Sequence, residues 1–194
     1  MSKPKKPVPA RTQPGSATEL RRALTKRKKS ELVDVLMELA QADRGVLRQL
    51  TARFDVATTP DDLVAATRQA IADATAFDER DINRNFDYDY EAYGEVKRNL
   101  SRLVASGQLR LAMQLALDLM KRGSYQVEMS DEGLMTEAIA SGLDVVIEAV
   151  TTSDLPAEEA VAWCSAMLDA DRVGFLARKP LEALRRRVQV TKAP

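Results

Sequence analysis

Six cations at close spacing, Arg21, Arg22, Lys26, Arg27, Lys28 and Lys29, are the residues here whose types best fit a chemistry. With Lys3, Lys5, Lys6 and Arg11 ahead of them, residues 1–29 hold ten Lys/Arg and one acid. Clustered cations attract phosphate backbones, because contact with them releases condensed counterions. No aromatic side chain is interleaved to stack bases, and no base-reading helix is recognisable. The cluster therefore reads as a candidate polyanion-binding surface, set against two plainer alternatives: a solvated tail, or a tail that folds back on acidic parts of the chain. Arg185-Arg186-Arg187 carries the same ambiguity, since adjacent arginines fan around a helix and form no single stripe.

The second group is acidic and aromatic. Asp87, Tyr88, Asp89 and Tyr90, with Tyr93 three residues on, form a candidate protein-binding surface, since tyrosines are good interface anchors. Asn83, Asn85, Asp87 and Asp89 alternate as in a calcium loop, but Tyr88 stands where such a loop needs glycine, so no metal site is expected. The plainer role is a helix start at which Tyr88, Tyr90 and Tyr93 pack against neighbours.

Composition narrows the chemistry further. The chain has no histidine and one cysteine, Cys164, which excludes Ser-His and Cys-His nucleophilic catalysis and any internal disulfide. There is no phosphate-cradling glycine loop, and no carboxylate pair stands out among twenty-nine acids. Neither an enzyme activity nor a cofactor is expected. Charge is sorted along the chain: residues 30–170 hold twelve Lys/Arg and twenty-six acids, and residues 171–194 seven and two. An acidic middle suits a partner with a basic surface. The basic start lacks the apolar stretch of a secretory signal, and no apolar run is long enough to span a membrane, so a cytoplasmic location is expected.

The elements that must position these residues are helical. Residues 1–17, rich in proline and cations, read as a disordered basic arm, and 18–190 as a single all-α domain of about seven helices in antiparallel pairs. Leu32, Val33, Leu36, Leu39 and Ala40 line one face of an early helix opposite Glu31, Asp34 and Glu38. Asp43 can cap a short helix reaching Phe54. Thr59-Pro60-Asp61-Asp62 is a strong start signal for a helix that buries Leu63, Ala66, Ala70, Ile71 and Ala74. A helix with Val96, Leu100, Leu103 and Val104 stops at Gly107. Leu109 to Met120 is apolar on nearly every face and marks the core centre. Gly123 is expected to end that helix and Ser130-Asp131-Glu132 to open the next, with Met135, Ala138, Ile139, Val146, Ile147 and Val150 inside. Asp154-Leu155-Pro156 and Pro180 begin the last two helices. Leu181, Leu184 and Val188 on the final one either complete the core or support a dimer.

Gly107, Ala112 and Ala116 place small residues where two antiparallel helices meet at a turn, as in tetratricopeptide hairpins, and Ala105-Ser106-Gly107 recurs as Ala140-Ser141-Gly142. With Phe86 to Tyr90, Leu100, Leu103 and Ser130 to Gly133, these features resemble a group of bacterial α-helical repeat proteins, tetratricopeptide-like regions often found with SWIM-type zinc fingers. The resemblance covers roughly residues 24–170. It implies an α-α superhelical scaffold and a long helix from Ser130 through Gly142, and it brings no catalytic residues. One cysteine and no histidine cannot supply the zinc finger's ligands, so that finger is absent. The expected function is a non-enzymatic interaction or scaffold module with an acidic body. The alternative is a nucleic-acid-associated protein that grips phosphates through its basic arm.

Overall fold

The structure is a computed structural model that describes residues 17–53, 59–78 and 88–190. Among the described residues there are nine helices and no strand. They are α1 (Ala17–Leu24), α2 (Lys29–Ala42), α3 (Arg44–Arg53), α4 (Pro60–Ala74), α5 (Tyr90–Ala105), α6 (Leu109–Glu128), α7 (Thr136–Thr152), α8 (Ala157–Ala170) and α9 (Arg178–Val190). The chain divides into two compact units, residues 1–55 and 56–194. The expected basic arm lies outside the described residues except for Ala17, which opens α1.

In the first unit α2 packs against α3. Asp43 sits between them and does two things. Its backbone N–H donates to Leu39 O at 2.9 Å, closing α2, and its Oδ1 accepts from Gly45 N at 2.7 Å, opening α3. The expected cap is there.

In the second unit α5 is central, packed against α4, α6 and α7. α8 packs against α6 and α9, and α9 also reaches α7. One buried cluster runs through all six helices, from Leu63 to Leu184. The start of α4 follows the sequence: Thr59 Oγ1 accepts from Asp62 N at 3.2 Å, and Asp62 Oδ2 accepts from Thr59 N at 3.3 Å. The face it buries differs at one position. Ala66 is exposed and Thr67 is inside, its hydroxyl donating to Leu63 O at 2.6 Å and so paired within its own helix.

Gly107 ends α5 as expected. Its φ of 75°, with Gln108 N donating to Leu103 O and Gly107 N to Val104 O, forms a paired C-terminal hydrogen-bond motif. Gly123 does not end α6, which continues to Glu128. A Cβ there would stand 2.9 Å from Ile139 Cδ1, and one on Gly142 would stand 3.2 Å from Leu119 Cδ2. Glycine is used at both places because α6 and α7 cross closely, with a side chain of each filling the gap in the other. Nor does Ser130 open a helix. Its Oγ accepts from Gly133 N at 3.1 Å within a turn, and α7 starts at Thr136, so the long helix from Ser130 is replaced by one that runs past Gly142 to Thr152. The recurring tripeptide is not a structural repeat, because Ala105-Ser106-Gly107 closes a helix and Ala140-Ser141-Gly142 lies inside one.

Leu181 and Leu184 of α9 are buried, so that stripe completes the core. Polar ties fix the periphery. Trp163 Nε1 donates to Met113 O at 3.0 Å, and Ser124 Oγ to Ala170 O at 3.0 Å. Both carboxylate oxygens of the nearly buried Asp171 accept backbone N–H groups, from Gly174 and Leu176, which shapes the α8–α9 loop.

Candidate protein-interaction surfaces

The structure brings the six predicted cations together. Arg21 and Arg22 occupy the last turn of α1, Lys26, Arg27 and Lys28 the turn that follows, and Lys29 the first position of α2; all six are exposed. Backbone bonds from Thr25 N to Arg21 O and from Arg27 N to Leu24 O, both 3.0 Å, hold the turn. An open cleft of about 570 Å³ lies along it, lined by Arg22, Lys26, Arg27 and Lys28 but also by Glu19 and Glu31. Glu31 Oε2 accepts from Lys28 N at 3.2 Å. The two carboxylates temper the positive field, so the turn offers phosphates contact points on its outer side and no closed cradle. Lys3, Lys5, Lys6 and Arg11 lie outside the described residues.

The tyrosine group separates into different roles. Asp87 lies outside the described residues. Asp89 caps α5, its Oδ1 accepting from Ala92 N at 2.8 Å. Tyr93, for which packing against neighbours was the plainer expectation and a binding surface the other, is 2% exposed. Its hydroxyl donates a short hydrogen bond to Gln126 Oε1, and Gln126 Nε2 donates to Ala74 O at 3.2 Å. Burial, with Tyr88 adding a smaller effect, pushes the Tyr93 phenol well above its ordinary value. Tyr90 is exposed and Tyr88 half-buried, their rings edge to face at 6.4 Å. All three tyrosines border a cleft of about 240 Å³ between α5 and α7, where Lys97 Nζ donates to Ser141 Oγ at 2.6 Å and Leu134 and Glu137 form part of the wall.

The first unit also leaves apolar side chains exposed, three of them from the expected α2 stripe. Leu20, Leu24, Val33, Val35, Leu36, Met37, Leu39 and Leu47 are each between 37% and 59% exposed. Ala40 is the single buried hydrophobic residue described in the first unit. The stripe Leu32, Val33, Leu36, Leu39 and Ala40 was expected to face a core. The apolar face exists, but on it Ala40 alone is buried and Leu32 half-buried, while Val33, Leu36 and Leu39 stay exposed. One sign of the difference is in the sequence: Val35 and Met37 widen the apolar arc of α2 beyond what one neighbouring helix covers.

Among the described residues, no group of three or more His, Cys, Asp or Glu is placed to hold a metal. Cys164 is fully buried on α8, and burial pushes its thiol up to about 11 against a smaller opposing effect of Arg185. No described helix is long and apolar enough to cross a membrane. No family model, curated protein or solved structure matches the chain.

Proposed function

We propose that this chain is a non-enzymatic protein-interaction module, a packed helical body joined to an N-terminal helical unit whose apolar face is the docking surface. The observation that carries this reading is the half-exposed set from Leu20 to Leu47 on helices that bury little else. Fully burying one such side chain is worth about 1.5–3 kcal/mol. Eight of them, each about half covered, leave roughly 6–12 kcal/mol of apolar burial unrealised before ordering costs. Scattered surface leucines need no explanation, but an apolar arc left largely uncovered along one helix, as on α2, is a mark of association. The acidic excess of residues 56–194, twenty-three acids against sixteen Lys/Arg, favours partners with basic surfaces. The close α5–α6 hairpin with its Gly107 turn supports a tetratricopeptide-like scaffold and the resemblance to bacterial helical-repeat proteins for that pair of helices.

The test is sedimentation of fluorescently labelled full chain in extract of its own host cells, beside a Leu36→Glu variant. A faster-sedimenting species that the substitution removes supports the module reading. Identical profiles for both chains refute it.

A second reading rests on the basic turn, where six exposed cations converge: polyanion or nucleic-acid binding through Arg21 to Lys29. Retention of the full chain on a heparin column should then fall to lower salt when Lys26, Arg27, Lys28 and Lys29 are replaced by glutamine. Unchanged elution removes it.

A further inference from the structure

We propose that the partner of the α2 face is a second copy of this chain, with the two α2 helices antiparallel about a two-fold axis at Leu36. This rests on the docking-face reading and names its occupant. At roughly 100° per residue, Leu32, Val33, Val35, Leu36, Met37, Leu39 and Ala40 sweep an apolar arc of roughly 200°, while Glu31, Asp34 and Glu38 share the opposite stripe. Of that arc only Ala40 is buried and Leu32 half-buried, while Val33, Val35, Leu36, Met37 and Leu39 are exposed although α3 packs on α2. A helix apolar over more than half its circumference belongs between partners on two sides, and α3 supplies one. A unit of 55 residues is marginal alone, and with Cys164 the sole cysteine no disulfide supports it.

The spacing of charge selects the second partner. Lys29, Leu36 and Asp43 are seven residues apart and lie along one line of the helix, a cation at its start, an acid at its end and leucine midway. A two-fold contact pairs each residue with its mirror position. About Leu36 the antiparallel arrangement sets Lys29 against Asp43 of the other copy, twice, and Val33 against Leu39, twice. A parallel arrangement sets Lys29 against Lys29 and Asp43 against Asp43. Lys29 also lies at the positive start of α2, where the helix dipole opposes it, and the antiparallel partner's carboxylate offsets that. Asp43 stays exposed while it caps α3, which leaves its carboxylate open to a further cation.

The test uses the full chain, purified, at tens of micromolar. Sedimentation equilibrium should give a dimer that weakens as salt rises. Leu36→Glu, at a position already 37% exposed and therefore safe for folding, should weaken self-association about tenfold or more. Under mild oxidation Leu36→Cys should form a disulfide-linked dimer while Lys29→Cys stays unlinked; Cys164 is buried and does not compete. A monomer at all concentrations overturns the inference, and linkage through Lys29→Cys overturns its antiparallel sense. If the pure chain is monomeric but sedimentation in extract still depends on Leu36, the docking face stands and only the second copy is wrong. If both fail, the face is not a docking surface.

Discussion

Replacing Gly123 by alanine tests the close crossing of α6 and α7 through the sign of its effect. In an exposed helix the change would stabilise, because alanine is favoured over glycine by about 0.5–1 kcal/mol. Here the new Cβ would lie 2.9 Å from Ile139 Cδ1, 3.1 Å from Cγ1 and 3.3 Å from Cγ2. A flexible tip could swing aside, but three atoms of a β-branched, fully buried side chain have few rotamers to escape into. Overpacking of this sort costs about 1–3 kcal/mol, so after the propensity gain the net loss should be about 0.5–2 kcal/mol. Urea unfolding of the full chain, followed by circular dichroism, measures it as a lowered midpoint with an unchanged slope. Ile139→Val removes Cδ1 and should cost about 0.5–1.5 kcal/mol alone but less in the Gly123→Ala background, because it then relieves the contact. A Gly123→Ala chain more stable than the parent, or strictly additive with Ile139→Val, would refute the close approach.

Further outcomes follow from the same core. Gly142→Ala meets one atom, the terminal methyl Leu119 Cδ2 at 3.2 Å, and should lie within about 0.5 kcal/mol of the parent in the same assay. Tyr93→Phe strips a buried acceptor, Gln126 Oε1, of its donor and should destabilise by about 1–3 kcal/mol, with Gln126→Leu added on top costing less than the two singles together. Thr59→Ala removes the α4 cap and should cost about 1 kcal/mol. Cys164 holds its proton more tightly folded than unfolded, so its contribution is complete below its ordinary value of 9.0 and is lost as pH rises towards about 11. Tyr93 acts in the same direction at higher pH. The unfolding temperature should therefore fall through that alkaline window, and a Cys164→Ala chain should fall less. A thiol reagent at pH 8 should label Cys164 only on unfolding.

Local grammar was readable in the sequence wherever one residue type has one common use. Thr59-Pro60-Asp61-Asp62 names a helix start because hydroxyl, ring and carboxylate each satisfy a different need of a first turn. Glycine was harder, since it serves two ends. Gly107 takes a left-handed turn and Gly123 makes room for Ile139, and both look alike in a string of letters. Tyr93 was left between an interface anchor and a packed helix-start residue, although its spacing to Val96, Leu100 and Leu103 puts it on their buried line. The α2 face marks the deepest limit. Periodicity tells which side of a helix is apolar, and nothing in it tells whether another element covers that side.

The path from Tyr93 through Gln126 to Ala74 has a consequence for uniqueness. Much of the surrounding core is methionine, leucine and alanine, with Met113, Met120, Met135 and Met167 all buried. Such contacts are non-directional, and thioether side chains reshape themselves to fill whatever gap they meet. Helices held only by them could slide along one another with little loss. A phenol, an amide and a carbonyl contributed by α5, α6 and the end of α4 do not tolerate a slide, because moving one helix by a single turn, about 5.4 Å, breaks both bonds and strands their partners in the dark of the core. The oily residues hold the three helices together; this polar strut sets the one axial registry in which they rest.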